Sequence, residues 1–302
     1  MYNWIGQLTQ GGRGIRFAAA AAGFMPKPIA FGMCWTIARL LYTFAGRQIK
    51  ERIRRNLTEL LELRHSWKLK EIEKDYFLNL AVTLYELLLE SQAGQPGLCP
   101  ERIRTEGEHH LQDALTQGKG AIVFAPHSGN FFYYYLLLTR RYSCMTVVTA
   151  GSPELRPIYE QFGSFGCRGL DYDHTPPLEL VRTLRKHLQA GGVVFLLGDF
   201  YREAFPEAEF FGKRSRSPGG TAMLALAEEA PVIPCHGYRN RMFRHRLIFE
   251  QPRFLNREFA THERETATNS LNRWLERVIR EHPAGWFYWF NADERFASKQ
   301  IV

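Results

Sequence analysis

From about residue 120 onward, short apolar runs alternate with stretches of helical periodicity, and this alternation limits the possible folds more than any other feature. The runs at 121–125, 145–149, 193–197, 232–236 and 246–249 are too short for helices and mostly apolar throughout. They read as strands buried on both faces. Between them, 131–141, 153–163, 178–190 and 219–229 read as helices, and 263–281 as a C-terminal helix. Strands and helices in alternation predict an α/β fold with a mixed, largely parallel central sheet flanked by helices.

The first hundred residues follow a different pattern. Residues 17–38 are apolar apart from Lys27, but Pro26 and Pro28 interrupt them, and a spanning helix wants about 20 mostly apolar residues. Two short apolar helices, 15–25 and 29–44, are expected instead, lying in or on a bilayer face. Arg13, Arg16, Lys27, Arg39 and Arg47 supply charge that anionic headgroups attract. Packing of these helices on the following domain is the alternative. We divide the chain into a membrane-associating helical segment, 1–46, and an α/β domain, 47–302. Within the latter, 72–93 has the spacing of a long amphipathic helix, ended by the Gly94-Gln95-Pro96-Gly97 turn.

A net charge of +8 points to an anionic partner: nucleic acid, an anionic membrane or a phosphorylated substrate. The basic run from Arg239 to Arg246 alternates like a hairpin that could face a membrane. It carries no nucleic-acid recognition motif. Five cysteines without a Cys-x-x-Cys pair suit a reducing compartment and give no zinc or redox framework.

His127 stands where a strand breaks into a helix, the sheet edge at which open α/β folds bind ligands. An imidazole with a pKa of about 6.5 can serve as general base near neutral pH, provided its other nitrogen is held. Asp199 follows another strand and can lie on the same edge; Asp171 and Asp173 are weaker candidates. A turn or cap role for Asp199 is the plainer alternative. Lys213, Arg214 and Arg216 precede the helix near Gly219, where backbone N–H groups and guanidinium groups favour a phosphate. An ordinary exposed basic loop would read the same way. Phe131 to Leu138 has no polar face by hydropathy, so the helix is core or walls an apolar cavity.

The segment Ala125-Pro-His-Ser-Gly-Asn-Phe-Phe132 resembles the active-site segment of the lipid A late acyltransferases, within the lysophospholipid acyltransferase superfamily. The family has a His, four residues, then Glu or Asp; here Phe132 stands in place of the acid. Three further segments resemble that family: Arg54-Arg-Asn-Leu57; Asp199 with Phe210-Phe-Gly212; and Pro283 with Trp289. Where the family has Gln after the Asp, this chain has Phe200.

The resemblance implies a glycerolipid acyltransferase-like fold. It also implies transfer of a fatty acyl group from an acyl carrier protein or coenzyme A thioester to a hydroxyl, or an amine, of a glycolipid or lipid A-like acceptor. The setting it implies is the cytoplasmic face of a bacterial inner membrane, with no metal or resident cofactor and no nucleic acid. His127 would be the base, with Asp199 replacing the missing acid. Ser128, Gly129, Asn130, Phe131, Phe132, Lys213, Arg214 and Arg216 would bind substrate, and N–H groups at 128–130 would stabilise the oxyanion. The lost acid leaves a second reading: an impaired member that binds lipid or acyl carrier as an accessory protein. Asking whether another carboxylate reaches His127 separates the two.

Overall fold

The computed structural model describes residues 24–63, 65–90, 102–149 and 156–296. A seven-stranded sheet runs in the order β1-β9-β8-β2-β5-β3-β4. Its strands are β1 (Ile103–Glu106), β2 (Ala121–Ala125), β3 (Cys144–Val148), β4 (Arg168–Asp171), β5 (Val193–Leu197), β8 (Val232–Arg241) and β9 (Arg244–Phe249). Every neighbouring pair is parallel except β8 with β9, which form an antiparallel hairpin. A separate hairpin consists of β6 (Glu207–Phe210) and β7 (Lys213–Arg216).

The central strands are apolar throughout because side chains alternate between two buried faces. Ile122 and Phe124 of β2 and Val194 of β5 join one core. Ala121, Val123, Ala125, Val193 and Phe195 join the other. The first core is covered by α8 (Gly220–Glu228) and α10 (Arg264–Glu281), through Leu224, Leu271, Leu275 and Ile279. The second is covered by α4 (His109–Leu115), α5 (Phe131–Arg141) and α6 (Arg156–Ser164), through Leu111, Leu136 and Ile158. The remaining helices are α7 (Pro177–Gln189) and the short α9 (Leu255–Glu258). The strands and helices predicted from residue 120 onward all occur, with ends shifted by a few residues; β8 continues to Arg241. β1, β4 and the β6–β7 hairpin were not expected. All are four residues long, and most of their residues are polar or partly exposed.

Upstream lie α1 (Lys27–Phe44), α2 (Arg47–Leu61) and α3 (Ser66–Tyr85). A π-helical turn at Glu86–Glu90 replaces the continuation expected over 86–90; residues 91–93, most of the expected 15–25 helix and 153–155 lie outside the described residues. α1 buries Ala30, Cys34 and Ala38, and Ala30 and Cys34 pack with Val82 and Tyr85 of α3. Ile29, Ile37, Leu40, Leu41 and Phe44 of the same helix remain exposed. No single helix among the described residues is long and apolar enough to cross a membrane; α1 and α2 reach that composition only together, bent by 99°. α2 is anchored by Asn56, which is buried and donates to the Trp289 carbonyl at 2.9 Å. Arg52 meanwhile pairs with Asp293 and Glu294.

Candidate active site

Sheet register brings the two candidate catalytic side chains together. β2 and β5 lie side by side with Ala125 opposite Leu197, and the Gly198 N–H continues the ladder to the Ala125 carbonyl at 3.0 Å. His127 and Asp199 each stand two residues beyond that last pair, so both leave the carboxyl edge of the sheet at the same level. The Nδ1 of His127 lies 2.6 Å from Asp199 Oδ1. Asp199 also accepts the His127 backbone N–H, at 2.9 Å to Oδ2. A carboxylate therefore reaches His127 from beyond the neighbouring strand, 72 residues along the chain from the histidine. Asp171 and Asp173 pair instead with His174 and Arg202.

Asp199 is completely buried, and a third group saturates it: Trp286 Nε1–H donates to Oδ2 at 2.7 Å. Arg295, also buried, donates to the Asp199 carbonyl at 2.5 Å, with its guanidinium over the Phe210 ring. Burial by itself would push the Asp199 carboxyl up. The facing His127 and the hydrogen bonds from His127 and Trp286 outweigh it and hold the carboxyl below its ordinary range. An ionised acceptor fixes the imidazole with its proton on Nδ1. Nε2 then carries the lone pair, and no described residue hydrogen-bonds to it.

The loop carrying His127 is fastened from the C-terminal side. Gly129 N–H donates to the Gly285 carbonyl at 3.0 Å and Phe287 N–H to the His127 carbonyl at 2.9 Å. α3 holds that strap in turn, through Tyr76 Oη–H to the Phe287 carbonyl and Asn79 to the Ala284 carbonyl. Gly129 has φ +61°, and a Cβ there would lie 2.4 Å from Tyr134 Oη, so only glycine fits this turn. Trp286 and Trp289 of this strap are buried. What was missed is the indole N–H aimed at Asp199, for which no sequence signal exists beyond the Trp itself.

Three expectations for this loop are corrected. The Ser128 and Gly129 N–H groups are bonded to the Pro126 and Gly285 carbonyls, so they are not free for an oxyanion. Ser128 is buried in a β-bridge to Trp286. Asn130 is buried as the N-cap of α5, accepting from Tyr133 N–H and donating to Glu86 Oε2 at 2.9 Å. Neither side chain lines the cavity beside His127. Lys213, Arg214 and Arg216 are corrected as well. They form strand β7 rather than a loop at a helix start, and pair with Glu59, Glu207 and the Phe205 carbonyl together with Glu207. Strand pairing with β6 orients them, and none lines the cavity.

That cavity, of about 1360 Å³, is lined by His127, Gly129, Phe131 and Phe132. Phe132 stacks on Phe131 at 4.6 Å and packs on Phe162 at 5.3 Å and Tyr159 at 6.1 Å. Ile158, Cys167 and Phe195 extend this apolar wall. Another stretch of the lining carries Asp171, Asp173, Arg202 and Arg264. The half of the 131–138 helix that faces away from the cavity is core, so it serves both roles the sequence left open.

Behind Asn130 lies an ion network that sequence reasoning missed. Glu86, at the start of the π turn, pairs with Arg239 Nη1 at 2.8 Å and His245 Nε2 at 2.9 Å, all buried. Burial would raise the Glu86 carboxyl; Arg239 and His245 overcome it and hold the carboxyl far below its usual range. The expected hairpin from Arg239 to Arg246 does form, but Arg239 points inward and Arg246 pairs with Glu106. Its tip, at Asn240, Arg241 and Arg244, is exposed.

Residues 14–293 match the model of a family described as bacterial lipid A biosynthesis acyltransferase. Over 140 residues the chain is 33% identical to a phosphatidylinositol mannoside acyltransferase of Mycobacterium tuberculosis, covering 43% of this chain and 42% of that protein. A protein of the same description from Mycolicibacterium smegmatis is 31% identical over 137 residues, covering 42% and 43%. The chain thus spans less than half the length of these curated relatives. A 1-acyl-sn-glycerophosphate acyltransferase structure from Thermotoga maritima is similar at 12% identity with a TM-score of 0.34, over 84% of this chain and 94% of that one.

Proposed function

The chain belongs to the bacterial lipid A biosynthesis acyltransferase family, and from that premise we propose that it transfers a fatty acyl group from a thioester to a hydroxyl of a membrane lipid acceptor. The observation that carries the reading is the 2.6 Å contact between His127 Nδ1 and buried Asp199 at the wall of a large apolar cavity. The thioester donor is an acyl carrier protein or coenzyme A conjugate, and a glycolipid is the acceptor that best suits the similarity to the two mycobacterial acyltransferases.

In the proposed mechanism, His127 Nε2 takes the proton of the acceptor hydroxyl as its oxygen attacks the thioester carbonyl. Asp199 keeps the proton of the neutral imidazole on Nδ1 and offsets the positive charge that forms. When the tetrahedral intermediate collapses, the C–S bond breaks and the imidazolium returns its proton to the departing thiolate. Ester and free thiol are the products, and no other reactant is consumed. The wall formed by Phe131, Phe132 and Phe162 suits an acyl chain, which gains by leaving water. The exposed apolar side of α1 supports lodging at the membrane surface, with the cytoplasmic face as the site where thioester donors are found.

Incubation with radiolabelled acyl carrier protein and coenzyme A thioesters plus bacterial lipid extract tests this reading. The wild type is expected to label a lipid, and His127→Ala to label none. Wild-type and His127→Ala proteins that bind acyl thioester equally but transfer nothing would instead favour the accessory role.

A further inference from the structure

A second group of ligating side chains lies outside the cavity, between β8 and the end of α10. One ring nitrogen of His236, one of His282 and a carboxylate oxygen of Glu281 lie within 4.8 Å of one another. They come from two elements and are brought together only by the fold: His236 on β8, and Glu281 and His282 at the last residue and C-cap of α10. We propose that His236, His282 and Glu281 form a binding site for a divalent cation of the zinc class.

His236 gives the independent sign of a ligand. Its side chain is 6% exposed, yet the buried Nδ1 makes no hydrogen bond; Glu250 Oε1 stands 3.4 Å away but poorly aligned. A ring nitrogen that has lost water without gaining a partner is unusual in a folded chain. His282 is held in place by stacking on Tyr238, with ring centroids 4.0 Å apart and planes 18° from parallel.

Two imidazoles and one carboxylate form a donor set typical of zinc, with an open fourth position for water. Donors at about 2.0–2.2 Å from one ion lie at most about 4.4 Å apart, so small side-chain rotations close the group. Glu250 is fixed by Trp274 and Arg277, and its oxygen stays 3.4 Å from His236 Nδ1. Arg277 competes for Glu281 at 3.0 Å, but both side chains are nearly half exposed. An exposed pair of this kind is weak and gives way to a doubly charged ion.

His282 directly precedes the turn at Pro283–Gly285 and then Trp286. An ion joining β8 to the end of α10 would therefore fix the strap that holds both Gly129 and Asp199. The test is calorimetric titration of metal-stripped, full-length protein with Zn²⁺, together with Co²⁺ titration followed by visible absorption. One equivalent is expected at micromolar affinity or tighter, with Co²⁺ showing tetrahedral bands. His282→Gln and Glu281→Gln, both at partly exposed positions, are expected to weaken binding at least about tenfold. His236→Gln is expected to abolish it if the variant folds by circular dichroism. Binding below half an equivalent, or unchanged affinity in both His282→Gln and Glu281→Gln, would overturn the site, whatever the outcome of the acyl-transfer assay.

Discussion

Asp199→Asn changes one atom type at the centre of the candidate site, and its consequences can be worked out from the contacts. Three N–H groups converge on the carboxylate: the His127 backbone, His127 Nδ1 and Trp286 Nε1. An amide has only one oxygen to accept them, and its NH₂ must face at least one donor. The least costly escape is for His127 to move its proton to Nε2 and accept from the new amide at Nδ1. Nε2 then has no lone pair for the acceptor hydroxyl. The corresponding change in the serine-protease triad lowers turnover about 10⁴-fold. We expect a fall in kcat of about 10³–10⁴, or about 4–5.5 kcal/mol in the barrier, with KM within about threefold.

The folded state loses one satisfied buried donor, about 2 kcal/mol, and the Tm falls by about 4–8 °C. The sign of the pH dependence follows from the depressed Asp199 pKa. Its stabilisation is complete above the ordinary carboxylate pKa and is lost as pH falls through the lower folded value. That acid-sensitive share is expected to vanish in Asp199→Asn. Single-turnover transfer from a labelled thioester gives kcat, and urea unfolding at several pH values gives the stability. Turnover within threefold of wild type, in a protein whose fold is intact, would refute the role given to Asp199.

Trp286→Phe removes one hydrogen bond from the charged form of Asp199 and keeps most of the ring's packing. The acid limb of the pH–rate profile is expected to move upward, with kcat lowered about tenfold. Phe132→Glu restores the family's acid to its usual position, but Nδ1 of His127 is already occupied. It also sets a carboxylate among Phe131, Tyr159 and Phe162, so stability is expected to fall by about 2–3 kcal/mol with no gain in kcat. A rise in kcat would show that Asp199 does not fill the role. Glu86→Gln leaves the buried Arg239 guanidinium uncompensated and is expected to cost about 3–5 kcal/mol in urea unfolding. That loss is full at neutral pH and shrinks as acid protonates Glu86 in the wild type; a loss below about 1 kcal/mol would contradict the network's role.

The layered α/β architecture was legible in the sequence because burial on both faces requires unbroken apolar strands, and runs such as 121–125 and 193–197 meet that requirement in very few residues. His127 was legible for a related reason: a polar residue directly after such a strand has to emerge at the sheet edge. The same reasoning made Asp199 the leading candidate for its partner but could not establish the contact. Whether two strand ends are neighbours depends on strand order, and their level depends on register; both are set by long-range packing. Only the tertiary structure places Ala125 opposite Leu197, aims the Trp286 N–H at the carboxylate and turns Arg239 inward to Glu86. It also corrected the basic residues at 213–216, whose local pattern suggested a phosphate loop but whose backbone pairs with β6 and whose charges meet Glu59 and Glu207. Local sequence determines which residues must be buried and where strands end. It does not determine which ends meet, because that choice lies in contacts between segments the chain brings together only when folded.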